Sequence, residues 1–170
     1  MNIFEYNRWV ENYRQEYGLL KFVNENYEPR ALDAICFHGQ QVIEKVLKSY
    51  LVLRGQACNH EEHDLFFLAR RVEMMAGEKM IVDAAQANAF VHMTRFEEYS
   101  CAPFEYRCTE RDVEMVMEYC ALIVGKVEEM ARESIGKAQT VDNIIQDAVE
   151  RSGGDEYNGS DKDKDDGPEI

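Results

Sequence analysis

Between Cys36 and Arg54 the chain reads CFHGQQVIEKVLKSYLVLR, and its apolar residues recur at steps of three and four. Cys36, Val42, Ile43, Val46, Leu47, Tyr50 and Leu51 fall on one arc, while His38, Gln41, Glu44, Lys45 and Lys48 fall on the other. A strand would send neighbours to opposite faces, so this spacing predicts a helix from about Arg30 to Arg54, closed by Gly55. A rod with a greasy back and a hydrophilic front is stable only when other elements cover the back.

Those elements are also helical in pattern. Trp9, Tyr13, Tyr17, Leu20 and Val23 predict a first helix over about residues 4–24, and Pro29 can begin the next because its missing N–H is harmless in a first turn. Leu65, Leu68, Val72 and Met75 predict a third helix over 64–75 that closes at Gly77. A fourth is expected from about Glu78 to Tyr99, where Ala84, Ala85, Ala87 and Ala89 would allow close approach, and it must yield before Pro103. Thr109, with Asp112 three residues on, looks like an N-cap, and Val113, Val116, Met117, Cys120, Ile123, Val127 and Met130 then form a regular stripe. That fifth helix is expected to end near Gly136, with a short amphipathic helix after Thr140 carrying Val141, Ile144, Ile145 and Val149. No segment alternates with period two over a useful length, so the fold class is all-α, a helical bundle.

Net charge is −14, and the last 19 residues hold seven carboxylates against Lys162 and Lys164. Such a tail cannot bury enough apolar surface to offset ordering entropy and is expected to be disordered. The domain reading is therefore a bundle over 1–136, a short helix over 137–151 and an acidic tail over 152–170. Even without the tail the body stays acidic, which repels polyphosphate at long range and argues against nonspecific nucleic-acid binding. Five cysteines without two-residue spacing, and no uninterrupted apolar run at the start or in the interior, point to a cytoplasmic protein with no membrane segment. His60, His63, Cys58, Cys101 and Cys108 lack the spacing of a zinc site, and the aspartates of the tail lack the Gly and final Glu of a calcium loop. No metal or cofactor is expected.

The run Phe37, His38, Gly39, Gln40, Gln41, then Glu44, Lys45 and Lys48, followed by His63-Asp64-Leu65 at the start of the next helix, resembles the signature of HEPN domains. The resemblance extends over roughly residues 4–130, and an echo of the family's aromatic and basic run before its last helix remains in Arg95, Tyr99 and Pro103. Some HEPN proteins are metal-independent ribonucleases marked by an Arg separated from a His by four to six residues near the start of a late helix. In that pair His moves a proton and Arg binds charge building on phosphorus. Arg54 and His60 have the spacing, but on the connection after helix two, and no histidine follows His92.

The resemblance therefore implies a non-catalytic module, the partner of a minimal nucleotidyltransferase with a nucleotide-binding role, and a homodimer. The alternatives are a ribonuclease toxin using Arg54 and His60 on an RNA target, and a dimerisation scaffold. The binding residues expected are Gln41, Lys45, Lys48 and His63, joined by Arg95 and Tyr99 from helix four. Each has a plainer reading. Glu44 and Lys48 form an i, i+4 pair worth about 0.2–0.5 kcal/mol on an exposed helix, His63 can cap helix three or hydrogen-bond to helix two, and His38 can be structural. Gln40 sits by helical angle among apolar residues, so its amide must find buried partners.

Overall fold

The helical periods are realised as four α-helices in the computed structural model, which describes residues 1–26, 32–58, 62–77 and 108–152: α1 (Ile3–Asn26), α2 (Leu32–Leu53), α3 (Leu65–Ala76) and α4 (Glu110–Ser152). No strand forms among the described residues, and none of their helices is long and apolar enough to cross a membrane. Expectations for Pro29, for a helix over 78–99 and for the tail beyond residue 152 lie outside the described residues. The chain divides into two units, residues 1–133 and 134–170.

In the first unit, α2 is the element that the others cover. Between Gly39 and Leu53 only Gln41 and Lys45 escape burial, so the expected hydrophilic front holds at His38, Gln41 and Lys45 and fails at Glu44 and Lys48. Val46 and Leu47 are fully buried, as their arc requires, but Glu44 and Lys48 are buried with them. Each fully buried aliphatic side chain contributes about 1.5–3 kcal/mol, and α2 supplies Ile35, Val42, Ile43, Val46, Leu47, Leu51 and Leu53 to that core. Tyr13 and Leu20 of α1, Leu65, Leu68 and Val72 of α3, and Val113, Val116, Ile123 and Val127 of α4 are buried with them.

Gly39 lies at a close contact between α2 and α4. A Cβ there would lie 2.7 Å from Val116 Cγ2 and 3.5 Å from Cys120 Sγ, and the Cys120 thiol donates to the Gly39 carbonyl at 3.3 Å. Burial pushes that thiol up to about 12, so it stays protonated as donor. The small position in the Phe-His-Gly-Gln-Gln run is thus a packing requirement.

Local chemistry sets the helix ends. Asn2 Oδ1 accepts from Glu5 N–H, and the Asn2 amide reaches the Glu5 carboxylate, which fixes the start of α1. At the end of α2, Gly55 adopts φ +75°, its N–H bonding Val52 O and the next N–H bonding Leu51 O, a Schellman closure that a side-chain-bearing residue would resist. Asp64 caps α3 through Phe66 N and Phe67 N. Thr109 and Asp112 form the expected reciprocal cap of α4, Asp112 accepting from Thr109 N–H at 2.7 Å and Thr109 Oγ1 accepting from Asp112 N–H at 3.3 Å.

The second unit corrects one boundary. No break occurs at Gly136, because α4 continues to Ser152. A glycine costs a helix interior only about 1 kcal/mol, and the Thr140 hydroxyl bonds back to the Gly136 carbonyl at 2.9 Å instead of capping a new helix. The stripe Val141, Ile144 and Ile145 is exposed.

Candidate functional site

Two helices in the first unit present faces of identical spacing to one cleft. From α1 come Glu5, Arg8, Trp9 and Asn12, and from α2 come Gln41, Glu44, Lys45 and Lys48, each set at i, i+3, i+4 and i+7. His63, just ahead of α3, closes the lining of a cavity of about 450 Å³, within the size range of small-molecule sites. Of the six binding residues expected from the sequence, Gln41, Lys45, Lys48 and His63 are therefore brought together. Arg95 and Tyr99 lie outside the described residues.

The floor of the cleft is a buried polar network centred on Glu44. Its Oε1 receives Lys48 Nζ at 2.9 Å and His63 Nδ1 at 3.0 Å, and its Oε2 receives the Gln40 amide at 3.0 Å. Gln41 in turn donates to Gln40 Oε1. Burial alone would raise the Glu44 pKa, but the hydrogen bonds from Lys48 and Gln40, the Lys48 charge and the His63 bond outweigh it and hold the carboxyl below its ordinary value. An ionised Glu44 is acceptor-only, so His63 donates to it through Nδ1. Gln40 finds the partners its position demanded. His63 takes the cross-helix role, and Asp64 does the capping.

A second carboxylate anchors the rim. Glu16 of α1 receives Lys45 Nζ at 2.6 Å and His38 Nδ1 through its two oxygens. Burial again works upward on its pKa, and the bonds from Lys45 and His38 prevail and lower it. Phe37 sets its ring edgewise to His38, with centroids 5.5 Å apart.

Ionic commitments differ among the three cations lining the cleft. Lys48 belongs to Glu44, with side chains 2% and 6% exposed, and Lys45 belongs to Glu16. Arg8 makes no ion pair among the described residues, and it is exposed. The half-buried Trp9 supplies an aromatic face, and Asn12 and Gln41 supply amides. This set can stack a planar ring, read its edge and hold an anion at one guanidinium.

Sequence reasoning missed the α1 half of the cleft. The periodicity of the first helix places Trp9 on one face with Tyr13 and gives Glu5, Arg8 and Asn12 no role. The signal that could have found them is the repeated spacing 5, 8, 9, 12 against 41, 44, 45, 48. Of the ribonuclease pair, Arg54 lies outside this lining. Its guanidinium donates to Tyr50 Oη at 3.1 Å and sits over that ring, and His60 lies outside the described residues.

A family model described as HEPN domain matches residues 19–130, about two thirds of the chain. No curated protein and no solved structure matches it. The matched span contains the α2 and His63 side of the cleft and begins after Glu5, Arg8, Trp9 and Asn12.

Proposed function

Because this chain belongs to the HEPN domain family, we propose that it is a non-catalytic helical module that binds a nucleotide between α1 and α2 and serves as the partner of a minimal nucleotidyltransferase. The observation that carries the binding half is the convergence of Gln41, Lys45, Lys48 and His63 with Arg8 and Trp9 on one cleft. A flat base can lie on Trp9, amides can meet its edge, and an anionic group can reach Arg8. The charge of −14 supports a small ligand over a long polyphosphate, since the body repels an extended anion while one local guanidinium can hold a short one.

The partner half rests on the family resemblance, in which modules without the Arg-His pair accompany such an enzyme, and homodimerisation belongs to the same proposal. Calorimetric titration of the full chain with AMP and with ATP tests the binding half. Saturable binding of either, weakened by Gln41→Ala and Lys45→Ala while labelled RNA stays intact, is the expected result. RNA cleavage abolished by His60→Ala would replace this reading with the ribonuclease one. Co-elution with a minimal nucleotidyltransferase from the same source, and a dimeric mass on sedimentation, test the rest.

A further inference from the structure

We infer that the ligand of this cleft carries a single phosphate, as a nucleoside monophosphate does, an inference that rests on the nucleotide reading above. The reason lies in which charges are already spent. Three cations line the cleft, Arg8, Lys45 and Lys48, and two acids line it with them, Glu5 and Glu44. Lys48 lies 2.9 Å from the Glu44 carboxylate, both side chains being nearly inaccessible, and drawing it toward a phosphate would leave Glu44 buried without its cation. Lys45 lies 2.6 Å from Glu16, at a rim where its side chain is 20% exposed. Its ammonium has three donors, so it can keep Glu16 and lend one hydrogen bond to a phosphate oxygen, but it adds no uncompensated charge.

Arg8 is thus the one lining cation with no carboxylate partner among the described residues. One guanidinium holds two oxygens of one phosphate in its fork. A second or third phosphate would bring negative charge that no other lining cation among the described residues offsets, toward Glu5 and into the field of a chain of charge −14. A nucleoside without phosphate would leave Arg8 unused. The cleft discriminates on both sides, rejecting more charge and gaining little from less.

The test is calorimetry of the full chain in EDTA with adenosine, AMP and ATP, repeated on Arg8→Ala and Arg8→Lys. AMP should bind at least about tenfold more tightly than either of the others, the preference over adenosine should vanish in Arg8→Ala, and Arg8→Lys should keep part of it. ATP binding as tightly as AMP, or adenosine binding as tightly as AMP, overturns the single-phosphate inference while leaving nucleotide binding in place. If none of the three binds, the nucleotide reading fails and takes this inference with it. Arg8 is exposed on α1 and outside the core, so its variants keep the fold, which a circular dichroism melt verifies.

Discussion

Lys48 Nζ lies 2.9 Å from Glu44 Oε1 in the interior of the first unit, one turn apart on the same helix and almost wholly out of water. On an exposed helix such a pair is worth a few tenths of a kcal/mol. Here the consequence of breaking it is larger, because the survivor is a buried charge. Lys48→Met should cost about 3–5 kcal/mol, and adding Glu44→Gln should recover part of that loss by removing the orphaned charge. Urea unfolding followed by circular dichroism measures both. A Lys48→Met cost below about 1 kcal/mol would mean the pair behaves as a surface pair.

Gly39→Ala adds a methyl where α2 touches Val116. Val116 is itself buried and stiff about its first torsion, so helix separation must change. The expected loss is about 1–3 kcal/mol by urea unfolding, despite alanine's better helix propensity. A stabilised Gly39→Ala variant would show that the contact relaxes freely.

How far the sequence anticipated this structure depends on what periodicity can see. The apolar arc of α2 was legible, because Val42, Ile43, Val46, Leu47 and Leu51 leave one register, and so were the caps at Asp64 and Thr109 and the closures at Gly55 and Gly77. The opposite arc of α2 was not. Glu44 and Lys48 read the same whether they face water or one another in the core, and only the partners brought by Gln40 and His63 tell the cases apart. The α1 wall was hidden for a related reason, since Trp9 shares the inward face in register while also lining the cleft. The expected break at Gly136 failed because a glycine followed by a threonine four residues on can remain helical once the hydroxyl bonds the earlier carbonyl.

Asp64 provides a local check on the connection that carries His63. Its carboxylate accepts from two free N–H groups at the start of α3, and Asp64→Ala should cost about 1 kcal/mol. Because His63 is the preceding residue, the same variant should also weaken any ligand that depends on the cleft's outer wall. Unfolding and calorimetric titration read the two effects separately, and unchanged stability would remove Asp64 from the cap.

Glu16, Glu44 and Glu128 all have pKa values below the ordinary carboxylate value of 4.5 in the folded chain. At Glu128 burial works upward, and the bonds from Arg14 and Tyr13 and the charge of Arg14 overcome it. A depressed folded pKa stabilises above the unfolded value, and that stability is lost as pH falls through the folded one. The urea midpoint should therefore decline from about pH 4.5 downward, and Glu16→Gln should make the decline shallower. A decline of unchanged steepness in Glu16→Gln would show that its bonds to Lys45 and His38 do not hold the carboxylate ionised.

The chain has a single tryptophan, and it lines the cleft, so the emission of Trp9 reports on the proposed site and nowhere else. Titrated with AMP, with excitation beyond adenine absorption, it should change saturably with the same midpoint that calorimetry gives, and the change should be lost or shifted to higher concentration in Arg8→Ala. Binding detected by calorimetry with Trp9 emission unmoved would place the nucleotide elsewhere and contradict the assignment of the cleft between α1 and α2.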